Sequence, residues 1–223
     1  MVCGQSLTAS QVIDKSIKYH DPQNKLFRNL VELNISELRP DGEKRTTVLQ
    51  WNISEEFFNM TRKTDIGEIE STLKFDQAQF LINGNGEISD SLLLKYRLNQ
   101  DRLAMLKNYY QYLWLMPMKL KDPGTIVHPD AKVQDFFGQS LIEIKVTYDP
   151  LVGADTWYIY FDPKDFSLKG YRFYHDEEIN DGEYILFEGE LSYRNVRIPK
   201  QRKWYTHKED RYLGADILKS LRF

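Results

Sequence analysis

The chain has 223 residues, of which 41% are hydrophobic and 13% aromatic, so it is long enough to bury a sizeable core. Its 30 basic and 33 acidic residues create no strong positive field, which argues against nucleic acid as a partner. No apolar run approaches the roughly 18 residues that a membrane-spanning helix needs, so no transmembrane segment is expected.

The first four residues, Met1-Val2-Cys3-Gly4, are typical of the end of a secretory signal sequence. Val2 and Gly4 put small residues where a signal peptidase requires them, if cleavage follows Gly4. Cys3 is the only cysteine, so no disulfide can form within the chain. This predicts an exported bacterial protein in the periplasm or at the periphery of the outer membrane; the alternative is an ordinary polar N-terminus. A lipid anchor stays open.

A helix is predicted over residues 9–20, because Thr8 and Gln11 form a capping box and apolar residues follow at helical spacing. Strand patterns come next, over residues 27–38, 46–61 and 67–82. In the first of them, an apolar face is expected from four alternating positions, which are Val31, Leu33, Ile35 and Leu38.

The middle of the chain, residues 89–116, changes to helical spacing and is interpreted as a helical insertion. Its second helix, over about residues 100–115, is apolar around most of its circumference, so we expect it to be largely buried. Strand patterns return afterwards over residues 133–137, 141–148, 157–161, 168–175, 184–196, 198–206 and 216–221.

These elements predict one mainly β (α+β) domain over residues 1–223, since no linker or internal repeat divides the chain. We expect a single curved antiparallel sheet, or a half-open barrel, of about ten strands. The N-terminal helix and the mid-chain insertion would pack in its concave face.

The predicted interior is rich in aromatic and methionine side chains, which are typical of adaptable sites for apolar ligands. Neighbouring basic residues would hold a charged head group. The predicted ligand-binding residues are Trp114, Met116, Met118, Lys119, Lys121, Trp157, Phe173, Phe187, Arg202 and Trp204. The alternative is that the apolar ones form ordinary core and the basic ones a solvated surface.

Two of the four histidines stand in the same tripeptide, Tyr-His-Asp, at residues 19–21 and 174–176. An enzyme hypothesis places His175, Asp176 and Glu178, with His20, around a metal or as acid–base groups. The two strings differ in local context, which favours hydrogen-bonded pairs at turns instead. No nucleophile or phosphate-binding motif occurs, so we expect no catalytic residues and no cofactor.

Several strings carry a resemblance to a known family. They are YHDP at 19–22, KNYY at 107–110, PMKLKDPGT at 117–125, KVTY at 145–148, DTWY at 155–158, HDE at 175–177, DGEYI at 181–185 and RKWY at 202–205. Together they resemble an uncharacterised family of exported bacterial envelope proteins. That family has no established activity, so the resemblance implies none.

The order of the elements is similar to that of the lipoprotein-sorting carriers (LolA/LolB-like), in which a half-barrel closed by helices holds acyl chains. This resemblance implies an apolar cavity, but no functional residue. We therefore predict a non-enzymatic envelope protein that binds a lipid or another apolar small molecule, with an envelope protein as a further partner. The rivals are the enzyme hypothesis and a protein-interaction module with a dry core.

Overall fold

The structure is a computed structural model that describes residues 7–223, so the predicted signal remnant at residues 1–4 lies outside the described residues. The helices are α1 (Ala9–His20), α2 (Lys25–Arg28), α3 (Asp90–Tyr96) and α4 (Gln100–Trp114). The strands are β1 (Val31–Leu38), β2 (Lys44–Asn52), β3 (Phe57–Thr64), β4 (Gly67–Lys74), β5 (Gln77–Ile82), β6 (Thr125–Phe136), β7 (Gln139–Tyr148), β8 (Thr156–Phe161), β9 (Leu168–Asp176), β10 (Asp181–Tyr193), β11 (Val196–Thr206) and β12 (Tyr212–Arg222). Within residues 7–223, none of the helices has the length and apolar character needed to cross a membrane.

The strands form one antiparallel sheet in the order β5-β4-β3-β2-β1-β12-β11-β10-β9-β8-β7-β6. Because β5 and β6 stand at opposite ends of this order, the sheet does not close on itself. The predicted mainly β fold with a single antiparallel sheet, an N-terminal helix and mid-chain helices is confirmed. Short connections join consecutive strands from β1 to β5 and from β6 to β12, as the spacing of the turn sequences indicates, whereas α3 and α4 lie between β5 and β6.

The sheet has twelve strands rather than about ten, because two of the predicted runs each contain a hairpin. Phe75 and Asp76 turn the chain between β4 and β5 with φ angles of 46° and 56°. Such left-handed pairs are usually marked by Asn or Gly, so a Phe-Asp turn is hard to see in a sequence. A 3₁₀ turn, Ile53–Glu55, separates β2 from β3 in the same way.

Contacts are densest within two compact units of the chain. The first comprises the described part of Met1–Gln23 together with Met116–Ala215, and the second comprises Asn24–Leu115 and Asp216–Phe223. The interpretation of the chain as a single domain stays a prediction.

In the first unit, helix α1 packs against β6 and β11. Its predicted capping box is present: the Thr8 hydroxyl accepts from the Gln11 backbone N–H at 3.3 Å, and the Gln11 side chain accepts from the Thr8 N–H at 2.9 Å. The helix buries Val12, Ile13 and Ser16. The prediction of a helix over residues 9–20 is therefore confirmed.

In the second unit, α4 packs against β4 and β5. The prediction that this helix is largely buried holds for one side only, because Met105 and Tyr109 of the predicted apolar surface are 46% and 45% exposed. Leu103, Tyr110 and Leu113 form the buried side of the helix. Some apolar side chains of α4 therefore remain exposed to solvent.

One face of β1–β5 forms the core of this unit. On β1 the buried positions are Val31, Leu33, Ile35 and Glu37. The predicted apolar face ended on Leu38, but strict alternation along a strand puts Glu37 in that position. A carboxylate therefore occupies an inward-facing position on β1, whose other inward-facing side chains are apolar.

Candidate functional site

A cavity of about 400 Å³ lies in the second unit, where strands β2–β5 face the segment from α3 to α4. This volume falls in the range of about 300–1,000 Å³ that is usual for small-molecule sites. Its walls contain an apolar group, a basic group and four further polar residues, Thr64, Ser71, Tyr96 and Asn99.

The apolar wall consists of side chains from both sheet and helices, which are Met60, Ile69, Phe80, Leu98, Leu103 and Leu106. The strand pairing fixes the sheet side: Met60 stands opposite Ser71, and Ser71 opposite Phe80, so the three share one face. On α4, Leu103 and Leu106 are three residues apart and so lie on the same side of the helix.

The start of α4 is set by Asn99, whose side chain accepts from the Arg102 backbone N–H at 2.9 Å. Arg97 ends α3 in the left-handed conformation, with φ 52°, and turns the chain towards α4. These two local features place both arginines at the junction that borders the cavity.

The basic wall contains six cationic side chains, Arg39, Arg45, Arg62, Lys95, Arg97 and Arg102, and no Asp or Glu of residues 7–223 lines the cavity. Two of the six pair with exposed carboxylates: Arg39 with Glu43 at 3.5 Å, and Lys95 with Asp65 at 3.1 Å. Arg97 and Arg102 form no ion pair within residues 7–223. The cavity therefore carries an excess of positive charge.

Arg45 and Arg62 share one buried carboxylate, that of Glu37. Arg45 Nε donates to Glu37 Oε2 at 2.5 Å, and the Thr47 hydroxyl donates to the same oxygen at 2.7 Å. Tyr110 donates to Glu37 Oε1 at 2.8 Å, and Arg62 Nη2 lies 3.8 Å from that atom. Burial by itself would raise the pKa of Glu37, but the hydrogen bond from Arg45 and the charge of Arg62 lower it overall. The cluster thus holds two guanidinium groups against the shared carboxylate of Glu37, and Asp216 adds a second negative charge near Arg45.

The predicted ligand-binding residues lie elsewhere. Five of them share one face of β8–β11 in the first unit: Trp157, Phe173, Phe187, Arg202 and Trp204. There the rings of Trp157 and Phe173 stack at 4.7 Å. The guanidinium of Arg202, which is buried, lies 5.1 Å from the centre of the Phe187 ring.

The remaining predicted residues follow or end the helical insertion. Trp114, Met116 and Met118 are buried. Lys119 forms an ion pair with Asp122, and Lys121 lies 2.7 Å from Asp14. None of the ten predicted residues lines the cavity of the second unit. Their role in ligand binding stays a prediction.

The two Tyr-His-Asp strings have different environments. His20 is buried: its Nδ1 donates to the Arg197 carbonyl at 2.7 Å, and its Nε2 accepts from the Leu168 N–H at 3.0 Å. Burial lowers its pKa to about 4. His20 therefore links three segments of the first unit as a neutral imidazole.

His175 is exposed and lies 2.8 Å from the Asp155 carboxylate, which raises the pKa of the imidazole. Asp176 accepts from the backbone N–H of Glu178 at 2.9 Å, as in an ordinary turn. Within residues 7–223, no three His, Cys, Asp or Glu side chains come together as metal ligands. The structure offers no support for the enzyme hypothesis.

The basic cavity escaped the sequence analysis, although two signals for it exist. Glu37, Arg45 and Arg62 each take an inward position on a strand whose other inward positions are mostly apolar. Arg97 and Arg102 flank a helix junction. The first signal needs the strand register, and the second needs the tertiary structure, before either points to a common site.

Comparison with solved structures shows the fold. The chain is similar to a LolA superfamily protein from Nitrosomonas europaea, with a TM-score of 0.57, 11% identity and coverage of 98% of this chain and 94% of the other. It is also similar to an outer membrane lipoprotein-sorting protein domain from Vibrio parahaemolyticus, with a TM-score of 0.53, 9% identity and coverage of 95% and 90%. A DUF1329 family protein from Desulfovibrio piger matches with a TM-score of 0.54, 7% identity and coverage of 96% and 92%.

These likenesses confirm the predicted LolA-like fold, and identities this low show the fold alone. None of the curated proteins compared matches the sequence. The profile of a family of unknown function, DUF6503, matches residues 1–219. The chain therefore belongs to the DUF6503 family.

Proposed function

We propose that this protein binds a lipid or another apolar small molecule, and that the cavity bounded by β2–β5, α3 and α4 is the binding site. The observation that carries the proposal is the group of six apolar side chains that line that cavity. Leu98, Leu103 and Leu106 face Met60 and Ile69 across a space large enough for a small ligand. Burial of an alkyl chain there would contribute about 25 cal/mol per Å² of apolar surface.

The fold supports the same proposal. Similar folds include an outer membrane lipoprotein-sorting protein domain, so a carrier or sensor of an acyl-bearing molecule in the bacterial envelope is the role we propose. The periplasm or the outer-membrane periphery would be its compartment, and an envelope protein would be its partner for ligand exchange. This role asks for binding and release, and no bond is made or broken.

The test is a titration of delipidated protein with a fluorescent fatty acid, with two matched variants. Leu98→Trp places a larger ring in the cavity, whereas Leu94→Trp makes the same change on α3 at a side chain that is 83% exposed. We expect saturable binding that Leu98→Trp weakens about tenfold or more and Leu94→Trp leaves unchanged. Absence of saturable binding, or equal effects of the two variants, would refute this site.

Native mass spectrometry of protein purified from its own host, followed by organic extraction, complements the titration. A co-purifying lipid of defined mass that is lost in Leu98→Trp but retained in Leu94→Trp would support the proposal. A co-purifying lipid retained in both variants would place the binding site outside this cavity.

A further inference from the structure

We infer that the cavity selects amphiphiles with an anionic head group, a carboxylate or a phosphate, and that Arg62, Arg97 and Arg102 contact that group. The inference rests on the proposed function and adds the chemical class of the ligand. The walls are positively charged, since six cations and no carboxylate from the described part of the chain line the cavity. Three carboxylates, those of Glu37, Glu43 and Asp65, form ion pairs with these cations, and Asp216 also interacts electrostatically with Arg45.

Arg62 has N–H donors that remain available to a ligand. A guanidinium carries five N–H groups. Arg62 donates through Nε to the Thr47 hydroxyl at 3.2 Å and through Nη2 to Tyr110, and no partner of its Nη1 occurs within residues 7–223. Its side chain is only 18% exposed. A half-buried guanidinium with free N–H groups at an apolar cavity is suited to receive an oxyanion.

The guanidinium of Arg62 is held in position before a ligand binds. Glu37 and Thr47 hold Arg62 and Arg45 in place through the contacts described above, so a ligand would not have to order them. Preorganised donors lose less entropy on binding than flexible surface side chains do. Glu37 and, at Arg45, Asp216 compensate this pair of guanidinium groups, whereas Arg97 and Arg102 form no ion pair within residues 7–223. A low-dielectric wall strengthens the attraction of these two charges for an anion.

Two further arginines border the cavity at the junction between α3 and α4. Arg102 is partly buried, and its Nη1 lies 3.3 Å from the Met105 sulfur, which is a weak acceptor. Arg97 is exposed at the end of α3. Leu98 lies between them and belongs to the apolar wall. Charged and apolar walls therefore meet within a few residues, as an amphiphile with its head at the junction requires.

The experiment is calorimetric titration of the delipidated protein with ligands of one chain length: dodecanoate, dodecyl phosphate and dodecanol, each below its micelle concentration. Inorganic phosphate alone is the fourth ligand. We expect both anionic amphiphiles to bind about tenfold or more tightly than dodecanol, with an affinity that falls as NaCl is added. Whichever of dodecanoate and dodecyl phosphate binds more tightly identifies the preferred head group as a carboxylate or a phosphate.

Two double variants of equal charge change form the comparison. Arg97→Gln/Arg102→Gln removes cavity cations, and Lys63→Gln/Lys107→Gln removes two cations of β3 and α4 that do not line the cavity. The first should weaken dodecanoate binding about tenfold and dodecanol binding much less, and the second should change neither. Urea unfolding of both double variants checks that they are folded. Arg102→Lys, which keeps the positive charge, should retain part of the affinity for the anion that Arg102→Gln loses.

The outcomes separate the two proposals. Equal affinity for dodecanol and dodecanoate would overturn the anion selectivity and leave the apolar site standing. Binding of inorganic phosphate as tightly as dodecyl phosphate would show that the alkyl chain adds nothing to binding. It would overturn the inference that the ligand is an amphiphile. Binding of none of the four ligands would overturn the proposed function and the inference together.

Discussion

The hydroxyl of Tyr110 donates a hydrogen bond to the carboxylate of Glu37 at 2.8 Å and thereby links helix α4 to strand β1. Burial raises the pKa of Tyr110, so its hydroxyl stays protonated and can donate at any physiological pH. The same carboxylate accepts from Arg45, and Arg62 lies beside it. The position of the cationic wall is therefore coupled to the docking of α4 on the sheet.

Replacing Glu37 by Gln should destabilise the protein by about 3 kcal/mol, because two partly buried guanidinium groups lose the carboxylate that they share. The measurement is the free energy of unfolding in urea. Glu43→Gln is the matched control, since it removes an equivalent Arg–Glu pair at an exposed site and should cost less than about 1 kcal/mol. Equal losses in the two variants would contradict the compensating role of Glu37.

Stability should fall as the pH drops below the ordinary pKa of histidine, because His20 is buried as a neutral imidazole. The unfolded chain takes up a proton on His20 below about pH 6.5, whereas the folded chain does so only near pH 4. The stabilisation is thus fully present above pH 6.5 and is lost as the pH falls towards 4. At pH 5 the free energy of unfolding should be lower by about 2 kcal/mol. Urea unfolding at pH 7.5 and pH 5 measures the difference.

The control for this pH dependence uses two variants. His20→Gln should remove most of the difference between pH 7.5 and pH 5. His175→Gln should not, because Asp155 raises the pKa of His175, and that contribution is lost as the pH rises rather than as it falls. A pH dependence that survives in His20→Gln would assign it to other groups.

Gly170 on β9 should not tolerate a side chain. A Cβ there would lie 2.6 Å from the carbonyl oxygen of Ile185 and 2.6 Å from a ring carbon of Phe136. We expect Gly170→Ala to lower the free energy of unfolding by about 2 kcal/mol or more. Gly153→Ala is the control, because its Cβ would meet only Tyr148 at 3.7 Å, an ordinary contact. A neutral Gly170→Ala would show that β9 and β10 can move apart at no cost.

The capping box at the start of α1 gives a smaller prediction. Thr8→Ala removes the acceptor of the Gln11 N–H and should cost about 1 kcal/mol. Ser10→Ala, an exposed change in the first turn, should lie within about 0.5 kcal/mol of wild type. Thermal unfolding of the three proteins compares them, and equal melting temperatures would mean that α1 does not need its cap.

Alternation and capping are local properties, and for that reason the sequence predicted the helix over residues 9–20 and most of the strands. The single antiparallel sheet followed from the regular spacing of turns. Where local signals were weak, boundaries were missed, as at the Phe75-Asp76 turn, which has no Gly or Asn to mark it.

The cavity could not be read in the same way. The sequence by itself determined that this chain forms an antiparallel sheet with helices at its start and middle, because each signal lies within a few neighbouring residues. Only the tertiary structure decided that Arg45, Arg62, Arg97 and Arg102 border one space. Strand register and the docking of α4 bring these residues together, and both arise from long-range pairing that no short stretch encodes.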